Sequence, residues 1–146
     1  MKPDKDASIP KSELHFTTAR NHYYNRLDSI ERISTGCSRN IDDVLCGGVE
    51  TKAVTEFYGA PGSGKTQLCY TMCALVPQDE SDGGVRGKSI YMDTEGKFRP
   101  KRIAQIGKAR GFGPKMTLNN VIILEAQDSQ TQERIIDDID SLLRLG

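Results

Sequence analysis

Lys65 and Thr66 close an eight-residue stretch, Gly59-Ala60-Pro61-Gly62-Ser63-Gly64-Lys65-Thr66, that reads GxxxxGK[ST]. Its residue types suit one task. Gly59, Gly62 and Gly64 let the backbone turn through conformations that cost other residues dearly. The N–H groups of residues 62–66 can then converge on a phosphate. A helix starting near Lys65 adds the positive end of its dipole. Lys65 brings a point charge to the β- and γ-phosphates of a nucleotide, and Thr66 offers a hydroxyl to Mg²⁺. The bland alternative is an ordinary glycine-rich turn between a strand and a helix.

A second cluster lies at "SIYMDTEGKFRPKRI", residues 89–103. A strand-like run ends in Asp93 and Glu95 and opens onto four cations, Lys97, Arg99, Lys101 and Arg102. A carboxylate at a strand end can orient a water for attack on a γ-phosphate, or hold the hydration shell of Mg²⁺. Desolvation alone would disfavour the charged acid there, so such a role calls for a metal or cation nearby. Two plainer readings stand beside it: Asp93 as a cap for a turn or helix, and Glu95 as a solvated loop acid.

The elements that must position these groups alternate. "AVTEFY" (53–58) reads as a strand, followed by the glycine loop and a helix from Lys65 to about Pro77. "QDESDGGVRG" reads as an exposed loop. A second strand covers 89–94, a helix runs from Pro100 to a stop at Gly111, and a third strand covers 120–126. The last helix starts near Asp128 or Ser129, with Ile135, Ile136, Ile139, Leu142 and Leu143 on one stripe. Strand–helix alternation predicts parallel βαβ units with right-handed crossovers, and in open parallel sheets ligands gather at the carboxyl ends of the strands. Upstream, a helix is expected over 18–30 with Thr18 as N-cap. A short one is expected after Ser38, stopped by Gly47-Gly48.

The chain has 146 residues, enough for one domain with a core, and its 20 basic and 20 acidic residues cancel. Global charge therefore gives no argument for nucleic-acid binding. No apolar run of roughly 18 residues occurs, so no membrane span is expected, and residues 1–14 lack the apolar stretch of a secretory signal. An intracellular, cytoplasmic protein is the expectation. Cys37, Cys46, Cys69 and Cys73 form no CxxC pair. They read as small core residues in a reducing compartment, with a zinc site as the alternative.

"YMDTEGKFRPKRI" resembles the RecA/RadA recombinase family in its archaeal–eukaryotic branch, where a strand ends in D-T-E and F-R-P-x-R follows. The likeness extends through "ISTGCSRNIDDVLCGGVETKAVTEFYGAPGSGKTQLCY" (33–70), including Gln67 after GKT, and into "NNVIILEAQDSQTQ". It implies a P-loop NTPase of RecA-like α/β fold, a parallel sheet flanked by helices, binding ATP and Mg²⁺. The resemblance assigns Glu95 to activation of water and Arg102 to stacking on adenine, a planar cation on a π face. Phe98 would pack beneath that turn. "FTTA", Phe16 to Ala19, is similar to the family's polymerisation motif, which adds to a neighbour's sheet edge and buries its Phe and Ala.

Residues 1–14, polar and broken by Pro3 and Pro10, read as a flexible tail. The resemblance implies two further segments, a polymerisation motif with linker helix (15–32) and a partial ATPase core (33–146). The family's preceding helical DNA-binding domain, its Walker B strand and its later DNA loops have no counterpart in these residues, so a truncated core is expected. Cys46 stands where the family keeps glycine, and Ala60-Pro61 replaces an acidic–aromatic pair. The implied activity is ATP-dependent filament formation on single-stranded DNA for homologous strand exchange, with another copy or a full-length recombinase as partner through FTTA. The alternatives are a non-catalytic paralogue that regulates a full-length recombinase, and another P-loop enzyme such as a small kinase.

Overall fold

A computed structural model describes residues 17–139 and 141. The chain divides into two compact units, residues 1–30 and 31–146. In the first, helix α1 spans Ala19–Ser29, and the Thr18 hydroxyl caps it by accepting from the Asn21 N–H at 3.1 Å. Tyr23, Tyr24 and Leu27 are more than half exposed, and no α1 residue is buried.

The second unit opens with a short antiparallel pair, β1 (Arg32–Ile33) against β2 (Val49–Glu50), with helix α2 (Arg39–Val44) between them. Ser38 caps α2 as expected. The Asp42 carboxylate folds the preceding segment back, accepting from the Ser34 hydroxyl at 2.6 Å and the Thr35 N–H at 2.8 Å. Burial pushes the Asp42 pKa up, but those bonds outweigh it and hold the group below its ordinary value. After α2 the chain turns through Cys46 at φ 55°, a left-handed conformation that favours glycine.

Helix α3 (Lys65–Leu75) follows the glycine loop. Then come β3 (Ser89–Asp93), α4 (Pro100–Ala109), α5 (Pro114–Asn119), β4 (Val121–Glu125) and α6 (Ser129–Asp137). β3 and β4 pair in parallel, register Ser89↔Val121 through Asp93↔Glu125. The core gathers Tyr70, Cys73 and Ala74 of α3 against Ile103 and Ile106 of α4, with Tyr91, Phe98, Leu118 and Val121 packed around them. α4 and α5 approach so closely that a Cβ at Gly107 would lie 2.7 Å from the Thr117 hydroxyl.

Several expectations need correcting. Residues 53–58 form no strand: Val54 is fully exposed, and the segment joins no backbone ladder among the described residues. β3 and β4 pair with each other, and an extended segment without a partner ladder has little to hold it. Helix α5 was not anticipated; Pro114 at its first turn and Gly113 before it are the signals that mark it. The loop after α3 is not uniformly exposed. Gln78 and Gly84 are buried, and Val85 and Gly87 donate back to the Val76 carbonyl. Only Cys73 belongs to the core; Cys37, Cys46 and Cys69 are exposed. Among the described residues no three His, Cys, Asp or Glu side chains cluster as metal ligands would. α6 starts at an Asp128 cap, but Ile136 is half exposed, and Leu142 and Leu143 lie outside the described residues.

Candidate phosphate-binding site

The glycine loop is held by its own backbone. Ser63 N–H donates to the Ala60 carbonyl at 3.2 Å, and Lys65 Nζ donates to the carbonyls of Gly59 (2.7 Å) and Ala60 (3.1 Å). Gly62 (φ 80°) and Gly64 (φ 98°) occupy left-handed conformations, and a Cβ on either would meet nothing within 4 Å. These two glycines are therefore required by torsion, not by space. Gly64 sits directly before α3 as its N-terminal cap residue.

The N–H groups of Gly62, Gly64, Lys65 and Thr66 have no acceptor among the described residues. The Ser63 N–H, expected among them, is turned onto Ala60 instead. Residues Gly62–Gln67 line a cavity of about 230 Å³. Four unpaired donors, an ammonium, a hydroxyl and a helix N-terminus around one cavity fit a polyanion with oxygen acceptors. Pro61 is exposed and does not line this cavity.

Across from it lies the loop that follows β3. Asp93 is 7% exposed, and both its oxygens are taken: Oδ1 accepts from Glu95 N–H (3.1 Å) and Oδ2 from Phe98 N–H (2.7 Å). Burial raises the Asp93 pKa, yet amide donors led by Phe98 outweigh it and hold the group below the usual carboxylate value. Of the two sequence readings, turn capping describes this residue. Glu95 is exposed and pairs with Lys97 at 2.8 Å, which raises the Lys97 pKa.

Sequence reasoning missed Tyr70. It lies one helical turn beyond Thr66, is 3% exposed, and its hydroxyl accepts from Arg99 N–H at 3.0 Å and donates to the Lys97 carbonyl at 3.4 Å. Its ring stacks among Tyr91 and Phe98, with centroids 5.0–5.6 Å apart across the three. Burial pushes the Tyr91 hydroxyl pKa well up. The available signal was an aromatic at i+4 from Thr66, on the same helix face. Through this strut α3 and the 94–99 loop become one structure. Thr66, Tyr70, Asp93, Glu95 and Lys97 all border a second cavity of about 190 Å³.

Arg102, on the first turn of α4, donates from Nε to Gln67 Oε1 at 2.7 Å. The structure thus brings Lys65, Thr66, Gln67 and Arg102 to one end of α3 and sets Thr66 and Glu95 around one cavity. Ala19 is the first residue of α1, in helical rather than extended backbone, and Phe16 lies outside the described residues.

The sequence profile of the Rad51 family matches residues 26–144. The chain belongs to the Rad51 family. It is 39% identical over 141 residues to the DNA repair and recombination protein RadA of Aeropyrum pernix, covering 95% of this chain and 43% of that one. It is 43% identical over 115 residues to the protein of the same description from Cenarchaeum symbiosum, covering 79% of this chain and 29% of that one. The Rad51-family chain described here thus spans less than half the length of these curated relatives, and it carries the family's RecA-like α/β fold. Among the described residues no helix is long and apolar enough to cross a membrane.

Proposed function

We propose that this Rad51-family chain is an ATP-binding element of a RadA-like recombinase. Residues Gly59–Thr66 receive the triphosphate, with the free amides of Gly62, Gly64, Lys65 and Thr66 donating to its oxygens. Lys65 exchanges its two loop carbonyls for β- and γ-phosphate oxygens, and the Thr66 hydroxyl would be the group that holds Mg²⁺, which would supply neutralisation of phosphate charge. Glu95 positions the attacking water, and Arg102 covers the adenine. In this reading Asp93 touches neither metal nor water, because both its oxygens are committed to the loop. The observation that carries the proposal is the cavity shared by Thr66 and Glu95.

Membership of the Rad51 family and likeness to DNA repair and recombination proteins support a wider reading: filament assembly on single-stranded DNA and homologous strand exchange, in the cytoplasm at the nucleoid. Residues 1–14 act as a tail, 15–32 as polymerisation motif and linker, and 33–146 as part of the ATPase core. Phe16 and Ala19 mediate association with another copy or with a full-length recombinase. Hydrolysis by this chain alone is expected to be weak. Residues 53–58, which lead into the phosphate loop, have no sheet partner among the described residues to fix them.

Equilibrium binding of labelled Mg²⁺–ATP to the wild-type chain and to Lys65→Ala tests the proposal. A charged hydrogen bond of about 1.5–3 kcal/mol corresponds to a loss of about 10- to 100-fold. Equal uptake by both proteins would sink it.

A further inference from the structure

We infer that Gln67 is a positioning residue for base recognition: it holds the Arg102 guanidinium at the rim of the phosphate loop without neutralising it. The inference rests on the nucleotide reading above and adds to it how the base is selected.

Gln67 is the third residue of α3 and one of the residues lining the phosphate-loop cavity. Arg102 reaches it from a different helix, thirty-five residues later in the chain, and the 2.7 Å bond uses only Nε. Both Nη groups and the flat faces of the guanidinium have no bonding partner among the described residues. A planar cation tethered at one edge keeps its faces available for a planar, electron-rich ring.

The acceptor is a neutral amide. A carboxylate at position 67 would grip the guanidinium more strongly. It would also put an anion beside the amides of Gly62, Gly64, Lys65 and Thr66, where a polyanion is to sit. Glutamine fixes Arg102 and leaves the local field positive. An exposed arginine otherwise samples many rotamers, and ordering it only when the ligand arrives costs binding free energy.

The test compares two probes, ATP and inorganic tripolyphosphate, both with Mg²⁺, by calorimetry on the full chain. Tripolyphosphate fills the phosphate cage and carries no base. Gln67→Ala is expected to weaken ATP binding about fivefold, the size of one surface hydrogen bond, and to leave tripolyphosphate binding unchanged. Arg102→Ala removes both the stacking plane and a positive charge beside the cage, so it should lower ATP binding at least as much as Gln67→Ala and lower tripolyphosphate binding by less. The double variant should lose no more than Arg102→Ala alone. Gln67→Glu should weaken both probes together while keeping their ratio.

A general structural role for Gln67 would lower both probes in Gln67→Ala, and that result overturns the inference. So do additive losses in the double variant, or an unchanged ATP affinity. If the wild-type chain binds both probes equally, base positioning falls while the phosphate cage stands. If it binds neither, the nucleotide reading itself falls and takes the inference with it.

Discussion

Two loops meet around α3, and they solve the same backbone problem in opposite ways. Residues 59–66 leave the N–H groups of Gly62, Gly64, Lys65 and Thr66 without acceptors. Residues 93–99 supply acceptors from within for three of theirs: Asp93 takes the amides of Glu95 and Phe98, and the Tyr70 hydroxyl takes that of Arg99. Both loops contain left-handed glycines facing open space, Gly62 and Gly64 in one and Gly96 in the other. Glycine freedom therefore does not separate them; hydrogen-bond accounting does. The first loop is complete only with an external acceptor. The second is braced internally by the Asp93 carboxylate and the Tyr70 hydroxyl, so the backbone under Glu95 is set before any ligand arrives. Preset backbone on one side of a cavity and unmet donors on the other is an economical way to limit the ordering cost of binding.

The largest test of this contrast is a pair of alanine substitutions. Tyr70→Ala removes a ring from the Tyr70–Tyr91–Phe98 cluster and is expected to cost about 3–5 kcal/mol in urea unfolding. Ser63→Ala in the phosphate loop is expected to stay within about 0.5 kcal/mol, since its exposed side chain holds nothing buried. Tyr70→Phe keeps the ring and strips the hydroxyl from Arg99 N–H, for about 1–2 kcal/mol. Comparable losses for Ser63→Ala and Tyr70→Ala would break the comparison.

Acid titration sharpens it. The folded-state pKa of Asp93 lies below its unfolded value of about 3.9. Its ionised form therefore stabilises the fold above that value, and the contribution is lost as pH falls through the folded pKa. In Asp93→Asn the amide nitrogen must face a backbone N–H, donor against donor. The stability gap between wild type and Asp93→Asn should be widest near neutrality and close below about pH 4. Asp42 and Asp128 titrate in both proteins and cancel in the difference. A gap that is constant from pH 7 to 3 would remove the charge from the explanation.

The sequence carried the parts of the site that depend on local chemistry. Glycines at 62 and 64, the helix start at Lys65, the Thr18, Ser38 and Asp128 caps and the strand ending at Asp93 are all legible from residue type and spacing. What stayed hidden depends on partners distant in the chain. Tyr70 reads as one more apolar residue on α3 until Arg99 is brought to its hydroxyl. Gln67 means little without Arg102 thirty-five residues later. The segment 53–58 has strand-forming residues, yet a strand also needs a neighbour, and no propensity encodes one. Residue type alone assigns all four cysteines to the core, yet three are exposed, because residue type says nothing of the face on which each lies.

Cys46 offers the smallest effect and a clean control. It sits at φ 55° in the turn after α2, where Leu45, Cys46 and Gly47 donate back to the carbonyls of Ile41, Asp43 and Asp42. Those bonds fix the left-handed conformation, and a Cβ there costs about 1–2 kcal/mol. Replacing Cys46 with glycine relieves that strain but gives the unfolded chain more freedom, worth about 0.5–1 kcal/mol in the other direction. Ala at the same site keeps the Cβ and loses only the thiol, which is exposed. The difference between Cys46→Gly and Cys46→Ala therefore isolates torsion from side-chain chemistry. Glycine should be the more stable by about 0.5 kcal/mol in thermal unfolding. If alanine matches or exceeds it, the turn is not strained. A left-handed torsion would then carry no measurable cost at Cys46, and the reading of Gly62 and Gly64 as glycines required by torsion would lose its support.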